Sequence, residues 1–500
     1  MNRLLVGALV VGSVAWVRAA DYLVAVPAGA AAEPAWAAVA DVLAARHGAE
    51  RVAWPGDGAG LLPILRERQP RWLAVVGRPG DFDAALVRAI NRVSRQLDDD
   101  PWADVRWGLI TGPTAADAER IAKTADPLVI ERALTTTGVD LGLVKSGLTL
   151  SDGAKGNWHR KEADGTSVDG TWDEAAEPGG TVGMFARYWN EARPQLLVSS
   201  SHATQFNLEM PWGLGLIASR GGRFHVLERR QVPEFARFLG GAMFTGDPQQ
   251  LGRWLDGLKA PVLEPQPEVP KVWVAAGNCL IGDARGSADS MVATAAANGV
   301  RQFVGYVVPT WFGRAGWGTL GLWQAHRGEL SLADAFHRNQ QKIIAETIRR
   351  FPRALEVTFD SDDIQGALSG PTGFVRGLKK LEDEGVKPEQ DLLGLVHDRD
   401  VVALWGDPKW AATFAPEKRR PLTLAWDEDG GGQVLVLTAT DQFRGELAAW
   451  LPRRVAGATV RRRDGGALPA GLVVADDFVL VPELVLGKGE TLALVIAPAA

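Results

Sequence analysis

QLLVSSSHAT (195–204) and KVWVAAGNCLIG (271–282) decide how this chain reads. Each is an apolar run that passes into small polar residues and then delivers one reactive side chain, His202 in the first and Cys279 in the second. Apolar runs of this length read as strands buried on both faces, the kind found in parallel sheets. In open parallel sheets ligands bind beyond the carboxyl ends of the strands, so the two motifs are expected to meet across neighbouring strands. A histidine close to a thiol favours the thiolate, which is the nucleophilic form. Ser199 to Ser201 and Ala275 to Gly277 are small enough to let a substrate backbone approach. The amides of Cys279 and Ala203 are the candidate donors to a developing oxyanion.

Strand–helix alternation continues on both sides. On the N-terminal side, YLVAVPA (22–28), RVAWP (51–55), WLAVVG (72–77) and VRWGLIT (105–111) read as strands, separated by helical stretches at 33–46, 58–69 and 82–97. Thr114 is the expected N-cap of a further helix ending near Lys123. Residues 139–183 lose periodicity and are rich in Gly, Asp, Ser and Thr, so they are expected to be a long surface loop. Calcium is a candidate there, although the EF-hand spacing is absent. GLGLIASRGGRFHVLE (213–228) reads as a hairpin turning at Gly221-Gly222. Two helices are expected near 233–239 and 248–258, TWFGRAGWG (310–318) reads as a loop, and one long helical stretch covers 319–351.

After Pro416 the texture becomes all-β, with short strands between turns that suit a small β-sandwich. At the other end, Arg3 followed by an apolar stretch and small residues around Ala19-Ala20 has the form of a secretory signal peptide; an uncleaved anchor and a buried first strand are the alternatives. The expected organisation is therefore a signal peptide at 1–20, an N-terminal α/β subdomain at 21–125, a catalytic α/β subdomain at 126–415 and a β-sandwich domain at 416–500. The mature chain is expected to be secreted or periplasmic, with no membrane span.

Composition removes several classes. Hydrophobic residues are 46% and charged residues 23%, the balance of a globular chain rather than a disordered one. The net charge of −6, with no basic cluster, argues against nucleic acid as a partner. A single Cys excludes intrachain disulfides, zinc fingers and CxxC redox sites. The other histidines, His47, His159, His225, His326, His337 and His397, show no HExxH-like spacing, so a catalytic zinc lacks its ligands. His225, in the expected hairpin, is the one rival base. GxSxG and P-loop motifs are absent.

The order of motifs resembles the gingipain-like group of caspase-fold cysteine peptidases. Apolar strand–His–small–Thr followed by apolar strand–small–Cys carries the likeness. Asp104 to Thr111 with Ala115 to Ala118, the Gly406-Asp407-Pro408 element and the β-sandwich after it extend the likeness over about residues 22–500. The resemblance implies a caspase-like α/β fold in two subdomains followed by an immunoglobulin-like domain. It implies a cysteine endopeptidase acting on protein or peptide substrates with no required cofactor. Cys279 would be the nucleophile and His202 the general acid/base, with the amides of Cys279 and Ala203 as oxyanion donors. Glu209 and Asp283 are candidate acids of a substrate pocket; Trp311 and Trp317 are candidate groove residues. Three features depart from the pattern: Ala203 follows the histidine where Gly is usual, Asn278 precedes the cysteine, and a hairpin and two helices lengthen the separation between His202 and Cys279. They leave a catalytically inactive secreted scaffold as the alternative function.

Overall fold

Apolar runs become strands here because both of their faces are covered. In Tyr22–Pro27 (β1), Leu23 and Ala25 join one apolar cluster with Leu61, Leu65, Leu86 and Ile90, while Tyr22, Val24 and Val26 join another with Trp36, Val39, Leu43 and Ile121. The first cluster is carried by helices Gly58–Arg68 and Ala84–Val93, the second by Pro34–His47 and Ala115–Lys123. Thr114 caps the last of these as expected: its hydroxyl and backbone N–H both donate to the Asp117 carboxylate, at 2.6 and 3.1 Å. The computed structural model describes residues 21–172, 180–231, 255–310, 312–355, 357, 379, 381–383, 385, 390–417 and 421–498. The expected leader at 1–20, Trp311, and most of the two helices expected near 233–239 and 248–258 lie outside the described residues.

The central sheet has twelve strands. With β1 they are Glu50–Trp54 (β2), Trp72–Val76 (β3), Arg106–Ile110 (β4), Arg132–Thr135 (β5), Ser146–Leu150 (β6), Asn157–Lys161 (β7), Ser167–Thr171 (β8), Leu196–Ser199 (β9), Lys271–Ala275 (β10), Val300–Tyr306 (β11) and Val402–Gly406 (β12). Their order is β2-β1-β3-β4-β12-β11-β10-β9-β5-β6-β7-β8. Pairing is parallel except between β11 and β12 and along β6, β7 and β8. One sheet thus runs through both α/β parts, with β12 wedged between β4 and β11. Asp407, directly after β12, fastens this junction. Its carboxylate accepts from Tyr22 Oη at 2.7 Å, and its carbonyl accepts from Gln302 Nε2 at 2.8 Å.

Three sequence expectations are corrected. Part of 139–183, expected as a loop, forms β6, β7 and β8 and extends the sheet. Strands β7 and β8 leave most residues wet on both faces, so they carry none of the apolar alternation that marks a half-buried strand. The helical stretch expected at 319–351 is two helices, Arg314–Ala325 and Leu332–Arg350. They are parted at Gly328, which has φ +77° and where a Cβ would lie 2.4 Å from Pro416 Cα. The first helix also takes in part of the stretch expected as a Gly- and Trp-rich loop. The hairpin turns at Gly221-Gly222 as expected, both at positive φ, joining Gly215–Arg220 to Arg223–Glu228.

After the α/β part, Leu422–Asp429, Gly432–Ala439, Thr491–Pro498 and Ala458–Arg462 form one antiparallel sheet; Phe443–Trp450, Phe478–Leu486 and Val473–Val474 form a second. Leu435, Leu437, Leu447, Val479, Val481 and Leu494 fill the space between them. The sandwich is seated on the N-terminal part. Arg71 donates to the carbonyls of Leu451 and Pro452, each at 2.6 Å, and the Arg106 guanidinium stacks on Trp72 and Trp450. Among the described residues no helix is long and apolar enough to cross a membrane.

Candidate active site

Strands β9 and β10 pair in parallel with Ser199 opposite Ala275, and the Ala276 N–H donates to Ser199 O at 2.8 Å. Both strands therefore end at the same level. His202 stands three residues beyond Ser199 and Cys279 four beyond Ala275, so the two loops lie side by side on the carboxyl rim of the sheet.

The histidine loop folds back at once. Ala203 bridges to Leu208, Glu209 N–H donates to His202 O at 3.0 Å, and Asn207–Glu209 continues as a short strand beside Gly215–Arg220. His202 is exposed. The Glu209 carboxyl is half-buried, and desolvation raises its pKa; the nearby His202 and Arg229 pull it down. Of the two acids expected near the motifs, Glu209 thus shares the field of His202. Asp283 is buried and engaged: its carboxylate accepts from Gln205 Nε2 at 3.2 Å and from Arg285 N–H at 2.9 Å. It ties the cysteine loop to the histidine loop rather than opening toward substrate. Burial pushes its pKa up to about 6, against the pull of these hydrogen bonds.

The cysteine loop carries the local strain. Leu280, next to Cys279, has φ +60°, a conformation rare for a side chain of its size. The thiol is held by Thr310: its backbone N–H donates to Sγ at 3.3 Å, and Sγ–H donates to Thr310 O at 3.5 Å. Burial pushes the thiol pKa up, and the Thr310 N–H opposes this. Among the described residues, the His202 imidazole is not a hydrogen-bond partner of Sγ in this resting arrangement. Among the same residues, the backbone N–H groups of Cys279 and Ala203 donate to no carbonyl. Ala203 is not among the residues at positive φ, so the position that usually holds Gly is met without that strain.

Trp317 lies on helix Arg314–Ala325 and is partly exposed; its Nε1 is 3.2 Å from where a Cβ on Gly277 would stand. It therefore covers the residue two before Cys279. Trp311 lies outside the described residues. His225 is in the hairpin, opposite Ala218, and bridges to Val262.

Sequence reasoning missed three contributors. Thr310 follows β11, the next strand along the rim, and that position was its only signal. Gly316 brings its helix against the cysteine loop: a Cβ there would lie 2.1 Å from Ala276 O. Asn278 was noticed as unusual, but its bonds to the histidine loop, given below, are tertiary and leave no local pattern. For a cation, one trio among the described residues converges closely enough: Asp98, Asp104 and Asp476, at the seam between the N-terminal part and the sandwich. It is separate from the His202–Cys279 rim, and it does not involve the 139–183 stretch.

The class defined by these features is an α/β protein with a histidine and its sole cysteine on adjacent parallel-strand ends, followed by a β-sandwich. No protein-family model matches the chain, and no curated protein sequence does. Among solved structures, the chain is similar to the Arg-specific cysteine proteinase gingipain R (RgpB), at 9% identity over 97% of this chain and 93% of that one, with a TM-score of 0.39. It is similar also to the complex of Porphyromonas gingivalis RgpB pro- and mature domains, at 10% identity, with 96% and 93% covered and a TM-score of 0.37. A third structure, described simply as a protease, is 9% identical, with 96% and 95% covered and a TM-score of 0.37.

Proposed function

We propose that this chain is an exported cysteine endopeptidase in which Cys279 is the nucleophile and His202 the general acid/base. The observation that carries the proposal is the pairing of β9 with β10, which ends the two motifs at one level on one rim. His202 takes the proton of the Cys279 thiol, and the resulting thiolate adds to the peptide carbonyl carbon, forming the C–S bond as the carbonyl π pair moves to oxygen. The N–H groups of Cys279 and Ala203, which donate to no carbonyl among the described residues, are the donors available to that oxyanion. Collapse breaks the C–N bond, and the departing amine takes a proton from His202. Water then attacks the thioester while giving a proton to His202, and the thiolate leaves. Thr310 N–H stabilises the thiolate before attack and after release. Contact between thiol and imidazole forms once substrate displaces Sγ from Thr310 O, since catalytic hydrogen bonds are often long before substrate binds. Glu209 and Trp317 line the approach, and no cofactor takes part. Export rests on the leader-like residues 1–20.

The test is cleavage of a mixed peptide library read by mass spectrometry, for the wild type beside Cys279→Ala and His202→Ala. Cuts that vanish in both variants establish the pair and give the residue preference. Cuts that survive Cys279→Ala overturn the assignment. A second reading, a secreted scaffold that binds without cutting, is favoured by one observation: the half-buried thiol donates to Thr310 O in the resting chain. Alkylation of Cys279 by iodoacetamide at pH 6 and pH 8.5 separates the two, because an activated thiolate reacts readily at the lower pH.

A further inference from the structure

We infer that Asn278 is a positioning residue that holds the histidine loop in register with the nucleophile; the inference rests on the peptidase reading above. Asn278 is fully buried and directly precedes Cys279. Its side chain reaches across to the other loop. Oδ1 accepts from Ser199 Oγ at 2.6 Å, and Nδ2 donates to Ser201 O at 2.8 Å and meets Ser201 Oγ at 3.2 Å. Ser201 is the neighbour of His202 in sequence.

Proton directions in this network are fixed by chemistry. Trp273 Nε1–H can only donate, and it gives its proton to Ser199 Oγ at 2.9 Å. Ser201 O can only accept, so the nitrogen of the Asn278 amide must face it. Ser199 Oγ–H is then left to donate to Oδ1. Beyond Ser201, its Oγ donates to Glu209 O at 2.6 Å, and Glu209 N–H donates to His202 O. The peptide groups on both sides of His202 are therefore referenced to the residue before Cys279. A small residue in place of Asn278 could make none of these bonds. The amide at this position thus locks the two loops by side-chain bonding, and the Gln205–Asp283 bond adds a second strap lower down.

The experiment compares Asn278→Ala, Asn278→Asp and Ser199→Ala with the wild type. The readouts are kcat and KM on a cleaved peptide, the pH profile of Cys279 alkylation, and thermal melting. Asn278→Ala should lower kcat about 10²-fold with KM little changed, as misplacement of about 1 Å does. It should also move the alkylation profile toward that of His202→Ala. Asn278→Asp keeps the size and the acceptor but loses the donor, so its ionised form sets two acceptors against each other. Its kcat should recover relative to wild type as pH falls and the carboxyl is protonated, a signature that loss of stability does not give. Ser199→Ala removes one bond and should have the mildest effect.

The inference is overturned if Asn278→Ala keeps wild-type kcat, or loses kcat with an unchanged alkylation profile. Should Asn278→Ala fail to fold, a flat pH response of Asn278→Asp relative to wild type overturns it instead. If the wild type cuts nothing, yet His202→Ala and Asn278→Ala shift alkylation alike, the peptidase reading falls and the positioning role stands. If His202→Ala leaves alkylation unchanged, there is no coupled pair, and both readings fall.

Discussion

Asp283 shows how a residue chosen from sequence for one role takes another. A carboxyl four positions past the cysteine looks free to meet a basic substrate, yet here it is buried and bonded to Gln205 and Arg285. Its folded pKa of about 6 lies above the ordinary carboxyl value of 3.8. A carboxyl with a raised folded pKa contributes stability that is fully present below about pH 4 and is lost as the pH rises through about 6. Asp283→Asn keeps an oxygen for the Arg285 N–H without the charge, and its amide nitrogen can donate to the Gln205 side-chain oxygen, which accepts no hydrogen bond among the described residues. It should raise stability at pH 8 by about 3 kcal/mol and leave it nearly unchanged at pH 4. Urea unfolding at the two pH values checks this; an equal change at both would mean that the charge is not what the fold resists. Glu209, by contrast, has a carboxyl that is only half-buried and feels His202.

At the scale of elements, the helix Arg314–Ala325 has the most direct hold on the site. Its approach to the cysteine loop depends on Gly316, which sits on the Ala276 carbonyl. On the same helix, a Cβ at Gly318 would meet Asn339 Oδ1 at 2.3 Å. Gly316→Ala should destabilise the chain by about 1–3 kcal/mol through overpacking against backbone. It should also lower peptidase activity more than Gly321→Ala, where a Cβ has open space. Melting and peptide turnover for the two variants test the pair, and equal effects would refute the role of close approach. The same glycines explain why the first turn of this helix, 314–318, read as a loop: local propensity disfavours helix at Gly, while packing at Gly316 and Gly318 demands it. WLAVV at 72–76 was legible because both of its faces are buried; NWHRK at 157–161 was not, because water reaches most of it. Likewise the His202 and Cys279 strand ends were visible in the apolar runs that lead to them. The bonds of Asn278, Thr310 and Asp283 were not, since their partners arrive from other strands.

Over the whole molecule, the sandwich and the N-terminal part are joined through Arg454. It donates to Asp104 O at 2.5 Å and to Gln69 Oε1 at 2.6 Å, and it pairs with Asp476 at 3.0 Å. Arg454→Ala leaves the mostly buried Asp476 without this ion-pair partner and should cost about 3 kcal/mol, the scale for breaking a buried pair from one side. Calorimetry should show the sandwich melting ahead of the α/β part; a single transition at the wild-type temperature would contradict this. The place of β12 has a consequence in time. The strands on either side of it, β4 and β11, are complete by residue 306, but β12 is not made until residue 406. At 5–20 residues per second, a ribosome takes roughly 5–20 s to cross the intervening stretch of about 100 residues. During that interval the nascent chain carries two unpaired strand edges, each able to capture a neighbouring polypeptide. Synthesis of this protein therefore includes a vulnerable interval that closes only when the last strand of the central sheet slots in between β4 and β11.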